Sequence, residues 1–356
     1  MTAAAFPYPF AAKPGKACAP GEFPFAVIGM DHGHIFSQAA GLIEAGGDLV
    51  AAWDPDPTKL ADFCTRFPQA RAARSEAEVL EDPRVRAVTA AAIPDERCAL
   101  GIRVMEHGKD YLTDKAPMVS LEQVAQARAA VARTRRMYQV IYGERLQNEA
   151  SIFAEQIIAQ GAIGRVLHVV GLGPHRLSAA MRPLWFFDRR RSGGIICDLG
   201  SHQVDQFLAY AGAKTATVVA SRIANYHHPE HPGLEDFGDA MLTADNGATD
   251  YFRVDWFTPD GLGTWGDTRT TILGTDGYIE MRKSIDIARD PRGDQVYLVD
   301  RRGEHHVQVG DRVGAPFFGR FIRDCIDRTE TAMTQEHALT VAEVCIRTQM
   351  QAVRVA

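Results

Sequence analysis

Phe25-Ala-Val-Ile-Gly29-Met-Asp31-His-Gly33-His34 is the stretch whose reading decides the fold. The short apolar run predicts a buried strand, the glycine turn follows at once, and Ile35, Leu42 and Ile43 recur at helical spacing until Gly46-Gly47 stops the helix. A second apolar run, Leu49-Val-Ala-Ala-Trp53, ends at Asp54, 25 residues beyond Gly29. A strand, glycine turn, helix and distal acid are what a dinucleotide site requires, since helix N-terminal amides bind pyrophosphate and the acid binds ribose hydroxyls. Against the G-x-G-x-x-G fingerprint, Asp31 stands at the second glycine and His34 at the third. The same residues also suit a plain strand-turn-helix with an incidental glycine.

Working outward, the alternation continues. A helix is predicted from about Thr58 to Phe67, a capping box at Ser75-x-x-Glu78, a strand from Val85 to Ile93, a helix from Asp95 to Glu106, and a short strand Tyr111-Leu-Thr113. A second capping box, Ser120-x-x-Gln123, opens a helix to about Thr134, and a last strand runs from Met137 to Tyr142. Six strands alternating with helices make a doubly wound, parallel nucleotide-binding domain over residues 23–142. Beyond Gly143 the rhythm changes. After a helix near Ser151 to Gln160, strands follow strands (Arg165 to Val170, Thr217 to Arg222, Ala240 to Ala244, Thr249 to Phe257, Arg269 to Leu273), closed by helices from Phe317 and Thr334. Residues 143–356 are therefore expected to form an α+β substrate and oligomerisation domain with an open, largely antiparallel sheet. The proline-broken residues 1–22 read as a loose arm outside the fold.

Composition narrows the function classes. With 45 acidic against 39 basic side chains, a net charge of −6 and no basic run longer than Arg189-Arg190-Arg191, nucleic acid is excluded as a partner. Cys18, Cys64, Cys98, Cys197, Cys325 and Cys345 show no short-spaced framework, which fits reduced thiols in the cytoplasm. Apolar stretches such as Val88 to Ile93 fall far below the roughly 20 residues a membrane span needs, and no leader is expected.

Three further constellations carry chemistry. In Gly193-Gly-Ile-Ile-Cys-Asp198-Leu-Gly-Ser-His202-Gln-Val-Asp205, a helix starting near Asp198 sets a carboxylate and an imidazole four residues apart on one face. Such a pair can hold adjacent substrate hydroxyls and move a proton, although an N-cap beside a core histidine gives the same pattern. Asp114-Lys115-Ala-Pro117 ends a parallel strand, so Lys115 points to the crevice where ligands bind or else lies on the solvated surface. His32-x-His34 also resembles the start of a barrel metallohydrolase site, but no ligand series on later strands completes it, and no metal is expected. For His227, His228 and His231 the interleaved prolines favour a loop over a metal site.

Together these residues resemble the Gfo/Idh/MocA family from about Phe23 to the C-terminus. The resemblance rests on the glycine turn with Asp54, on Pro94 after its strand, on Asp114-Lys115-Ala-Pro117 in place of Glu-Lys-Pro, on Gly193-Gly194 to Asp205, and on Ile272-Leu-Gly274-Thr-Asp-Gly277-Tyr-Ile-Glu280. It implies a nicotinamide-dependent oxidoreductase of a sugar, polyol or related carbohydrate-like small molecule, NAD rather than NADP because of Asp54, and a homo-oligomer. It implies cofactor contacts at Gly29, Asp31, His32, Gly33, His34, Asp54, Ile93, Pro94, Arg97, Asp114 and Lys115. Lys115, Asp198 and His202 fall on the catalytic positions, and Arg145, His175, Arg176 and Trp185 lie on segments that line the substrate crevice. Asp31 and His34, Ala116, and Arg97 in place of a histidine depart from the family pattern. A member that retains NAD for net non-redox sugar chemistry, or a catalytically silent relative, has the same outline.

Overall fold

A computed structural model describes residues 6–356. The first half is β1 (Pro24–Ile28), α1 (His34–Glu44), β2 (Asp48–Trp53), α2 (Pro57–Arg66), β3 (Arg71–Ala72), α3 (Glu76–Leu80), β4 (Ala87–Ala90), α4 (Pro94–Glu106), β5 (Asp110–Asp114), α5 (Leu121–Thr134) and β6 (Tyr138–Ile141). All six strands are parallel, in the order β3-β2-β1-β4-β5-β6. The order reverses between β1 and β4, so a crevice opens at their carboxyl ends, where α1 also begins. Both serine N-caps form, Ser75 Oγ accepting from the Glu78 amide at 3.1 Å and Ser120 Oγ from the Gln123 amide at 3.2 Å, while the Glu78 and Gln123 side chains accept one residue earlier than a capping box, from the Arg74 and Val119 amides at 2.9 and 2.8 Å. β4 is shorter than its apolar run predicts. Residues Ala91 to Ile93 leave the sheet to bond the glycine turn, with the Ala91 amide donating to Gly29 O at 3.0 Å and the His32 amide to Ala91 O at 2.9 Å.

The second half contains α6 (Gly143–Leu146), α7 (Glu149–Ala159), β7 (Val166–Pro174), α8 (Arg189–Ser192), α9 (Ile195–Asp198), α10 (Gly200–Ala211), β8 (Ala216–Ala224), β9 (Phe237–Ala244), β10 (Thr249–Asp255), β11 (Arg269–Gly274), β12 (Tyr278–Arg282), β13 (Gln295–Asp300), β14 (Gly303–Gln308), α11 (Phe317–Asp327), α12 (Gln335–Gln351) and β15 (Val353–Arg354). Nine strands form one sheet, β14-β13-β12-β11-β7-β10-β9-β8-β15, antiparallel except for the β7/β10 and β8/β15 pairs. Along β10, Asp250, Phe252 and Val254 face the core while Thr249, Tyr251 and Arg253 face outward. The helix that brings His202 to the cleft, α10, lies on the inner face. A Cβ at Gly171 of β7 would stand 2.2 Å from Gln203 Oε1, so glycine is what lets this helix approach.

The segment before β1 departs from expectation. Positions 1–5 of the predicted arm lie outside the described residues; Phe6, Tyr8, Phe10, Ala17 and Cys18 pack on the core, while residues 11–16 and 19–22 are exposed as expected of an arm. Phe6 and Phe10 set their rings 5.4 and 4.7 Å from Phe153, Arg302 and Arg312 lie over Tyr8 and Phe10, and the Ala17 amide donates to Ala45 O. The aromatics among the prolines make this segment a strap from the second sheet back to α1. Among the described residues no helix is long and apolar enough to cross a membrane.

Candidate active site

The glycine turn retains the features a pyrophosphate needs. Gly29 has φ +80°, and a Cβ there would meet Ala92 Cβ at 2.9 Å. Asp54 closes the turn from β2: its Oδ2 accepts from the Met30 amide at 2.6 Å and its Oδ1 from the Asp56 amide at 2.8 Å, while burial pushes its carboxyl pKa up. Nothing stands within 4 Å of a Cβ placed on Gly33, and among the described residues the Asp31 and Gly33 amides have no protein acceptor. Asp31, at the fingerprint's second glycine, pairs with Lys59 Nζ on α2 at 2.6 Å. The turn thus fits a dinucleotide, with free amides for phosphate and Asp54 for ribose.

His32 and His34 turn toward β5. Their Nδ1 atoms lie 3.3 and 3.0 Å from the carboxylate of Asp114, and the three side chains offer ligand atoms within 4.8 Å of one another. The sequence showed no later-strand partner for this H-x-H, and the fold supplies one 80 positions away from His34. That carboxylate also takes Arg97 Nη2 at 3.3 Å.

Arg97 is not the cofactor contact that the sequence suggested. It is fully buried below the turn, where Nε donates to Ala92 O at 2.6 Å and Nη1 to the carbonyls of Lys115 and Ala116. The long side chain from α4 braces the turn that carries Lys115. Ile93 and Pro94 open α4 beside it.

One cavity of about 460 Å³ runs from His32, His34 and Asp114 past Lys115 and Asp198 to His202, His175 and Arg176. Lys115 Nζ donates to Asp198 Oδ1 across the cleft. Burial alone would raise the Asp198 carboxyl, but the Lys115 ammonium outweighs it and holds the pKa at about 2. Asp198 closes the short α9 rather than starting a helix, and the next helix carries His202, so both still reach the cavity. Burial lowers His202 to about 3 and His175 to about 4, against the opposing pull of Glu144 on each. Both imidazoles are neutral near pH 7. His202 Nδ1 is buried with no hydrogen-bond partner.

Glu144, just past β6, is a cavity residue that sequence reasoning missed. Its Oε2 accepts from Lys283 Nζ at 2.7 Å and Gln203 Nε2 at 3.2 Å, while Oε1, 3.8 Å from His175 Nε2, has no hydrogen-bond partner. Burial favours the neutral acid, yet Lys283 holds the carboxyl well below the usual range. Its position at a parallel strand's carboxyl end was the available signal. Lys283, 139 residues from Glu144, and Trp256, Trp265 and Arg182 gave none.

Two expected substrate residues do not reach the cavity. Arg145 is buried against Asp205, with Nε and Nη2 donating at 2.7 and 2.8 Å, and His337 Nε2 shares that carboxylate at 2.8 Å. Trp185 sits in a 3-10 turn over Leu184–Phe187 and packs on Phe186. The histidine loop is divided among unrelated partners: His228 Nδ1 meets Asp236 at 2.9 Å and His231 stacks on Phe187 at 3.7 Å.

Comparison with known proteins adds the family. Residues 23–142 match the model of the oxidoreductase family NAD-binding Rossmann fold, and residues 152–280 match the GFO/IDH/MocA C-terminal domain. A scyllo-inositol 2-dehydrogenase (NAD(+)) of Bacillus subtilis (strain 168) is 26% identical over 261 residues, 71% of this chain and 72% of that protein. A crystal structure of a protein from Erwinia carotovora atroseptica SCRI1043 superposes with TM-score 0.91 at 44% identity, over 94% of this chain and 100% of that one. Levoglucosan dehydrogenase in complex with NADH and levoglucosan superposes with TM-score 0.76 at 19% identity, over 92% and 97% of the two chains. With a Rossmann sheet whose glycine turn fits a dinucleotide and both halves matched, the chain belongs to the Gfo/Idh/MocA family of NAD-binding oxidoreductases.

Proposed function

We propose that the protein is an NAD-dependent dehydrogenase that oxidises a secondary hydroxyl of a polyhydroxylated small molecule, or reduces the corresponding ketone. The observation that carries this reading is the meeting of Lys115, Asp198 and His202 on the wall of the cavity that begins at the phosphate turn. NAD held by the turn over residues 29–33 and by Asp54 would supply the hydride acceptor for the carbinol carbon. His202, neutral and with an unpartnered nitrogen, takes the hydroxyl proton as the carbon becomes a carbonyl, and Lys115 stabilises the developing negative charge on that oxygen. Asp198 holds the ammonium of Lys115 in place. Glu144, Lys283, His175 and Arg176 line the same cavity and give its wall the polar groups that a ligand rich in hydroxyls needs.

NAD is preferred to NADP in this reading, because Asp54 binds ribose hydroxyls and repels a phosphate. The relative named for NAD(+) supports it, while solved structures of the same fold hold NADH or NADP. A homo-oligomer is also proposed, joined through the outer sheet face, where Val219, Met241, Leu273 and Tyr278 are exposed. The test is NADH formation from NAD by the purified protein on a panel of sugars, polyols and inositols, with mass analysis for cofactor retained on purification. Turnover of substrate with no net NADH and with retained NAD would refute the dehydrogenase reading and establish the non-redox one.

A further inference from the structure

One cation on the cavity wall has no carboxylate in ion-pair contact, although Asp198 acts on it from further off. Of the four lysine and arginine side chains that line it, Lys115 is paired with Asp198, Lys283 with Glu144 at 2.7 Å, and Arg176 with Asp260 at 3.4 Å. The third lining acid, Asp114, is met by Arg97 from below. Arg182 has no carboxylate within 4.0 Å among the described residues. Its guanidinium is nevertheless held in place. Nε donates to Leu177 O at 2.8 Å, Nη2 donates to Arg176 O at 3.4 Å, and the group lies over the rings of Phe186 and Trp256 at 4.6 and 5.0 Å. Nη1 is left without a protein acceptor among the described residues.

A half-buried guanidinium loses hydration without a contacting anion to replace it, and burial lowers its pKa against the weaker, longer-range pull of Asp198. Because His175 and His202 are neutral at pH 7, they do not dilute this demand. Stacked and fixed by two carbonyls, Arg182 is pre-organised for one more charge-assisted hydrogen bond, the kind a carboxylate accepts. A phosphate dianion would call for a second free cation, which the wall does not hold.

We infer that Arg182 binds a carboxylate of the substrate, so that the substrate class is a sugar acid, an aldonate or uronate, and not a neutral sugar. The inference rests on the dehydrogenase reading and narrows it. The carboxylate sits at Arg182 while the hydroxyl to be oxidised meets Lys115 and His202 in the same cavity. The bonds broken and formed are those of that reading: a C–H hydride to the nicotinamide, the hydroxyl proton to His202, and the carboxylate unchanged.

The test is calorimetric binding to the NADH-loaded full-length protein of matched pairs, galacturonate with galactose, glucuronate with glucose, and gluconate with sorbitol, with glucose 6-phosphate alongside. At least one acid is expected to bind roughly 10- to 100-fold tighter than its neutral partner, the range of one charge-assisted hydrogen bond. Arg182→Gln should abolish that difference while NADH affinity stays within about twofold, and Arg182→Lys should restore part of it. Equal binding within every pair, tighter binding of the sugar phosphate than of every acid, or an unchanged preference in Arg182→Gln would overturn the inference. Failure of the dehydrogenase reading would register separately, as no net NADH formed from NAD by the unaltered protein on any acid that it binds.

Discussion

Lys115 and Asp198 form an ion pair 83 positions apart in the chain, one at the end of a Rossmann strand and the other at the end of a short helix beneath the open sheet. The pair ties the end of the Rossmann sheet to the second domain across the cavity and fixes the ammonium on the cavity wall.

Lys115→Met should therefore lower turnover by about a hundredfold or more, the usual worth of a group that handles a proton or its charge in the transition state. Asp198→Asn should lower it too, because it leaves a buried ammonium without its partner. NADH formation at saturating substrate and NAD, with circular dichroism to verify folding, measures both. Near-normal turnover in Lys115→Met would refute its assigned role.

Acid should destabilise the protein through its buried histidines. His202 and His175 are depressed to about 3 and about 4, whereas in the unfolded chain they titrate at the ordinary histidine value. Between those limits the unfolded state binds more protons, so stability falls as pH drops from about 6.5 toward 4. Each histidine contributes a slope of roughly 1.4 kcal/mol per pH unit within that window. Urea unfolding at pH 7, 6, 5 and 4 should show the decline, and His202→Gln should flatten it by about one histidine's share. An identical slope in the variant would contradict the neutral, buried assignment.

Arg97 offers a test of the brace beneath Lys115. Arg97→Met removes the guanidinium from Asp114 and leaves the carbonyls of Ala92, Lys115 and Ala116 without their donor. Breaking a buried pair from one side costs about 3–5 kcal/mol, so the variant should lose a large fraction of the roughly 5–15 kcal/mol margin of a typical domain. Chemical denaturation measures the loss, and a change below about 1 kcal/mol would show that the network relaxes around the gap.

Local signals made the first half legible. Ser75 and Ser120 cap the helices their spacing predicted, and Asp54 at the end of β2 accepts from the Met30 amide in the turn between β1 and α1. Strands β12 to β14 were less visible beyond the Ile272 to Glu280 segment, because their turns are charged and their outward residues polar. The cavity was legible only in part. Lys115, Asp198 and His202 came from motif and resemblance, while Glu144, Lys283 and Arg182 are joined only by tertiary packing. Arg145 and Arg97 misled for a common reason: an arginine near a motif looks like a ligand contact until the fold buries it against an aspartate.

Asp54 carries the last prediction, on cofactor choice. Its two oxygens already hold the Met30 and Asp56 amides, and a carboxylate oxygen retains lone-pair capacity for a ribose hydroxyl as well. Asp54→Ala should weaken NAD by about 1–3 kcal/mol, the value of a hydrogen bond to a charged group, and should weaken NADP less, because the repulsion of the 2′-phosphate goes with the charge. Lys59 strengthens this expectation. It stands close enough to feel Asp54 and Asp56 while pairing with Asp31, so removal of Asp54 leaves less negative charge around that ammonium. Fluorescence titration with NADH and NADPH reads both affinities without any substrate. A variant whose preference for NADH over NADPH is undiminished would show that selectivity does not reside at Asp54.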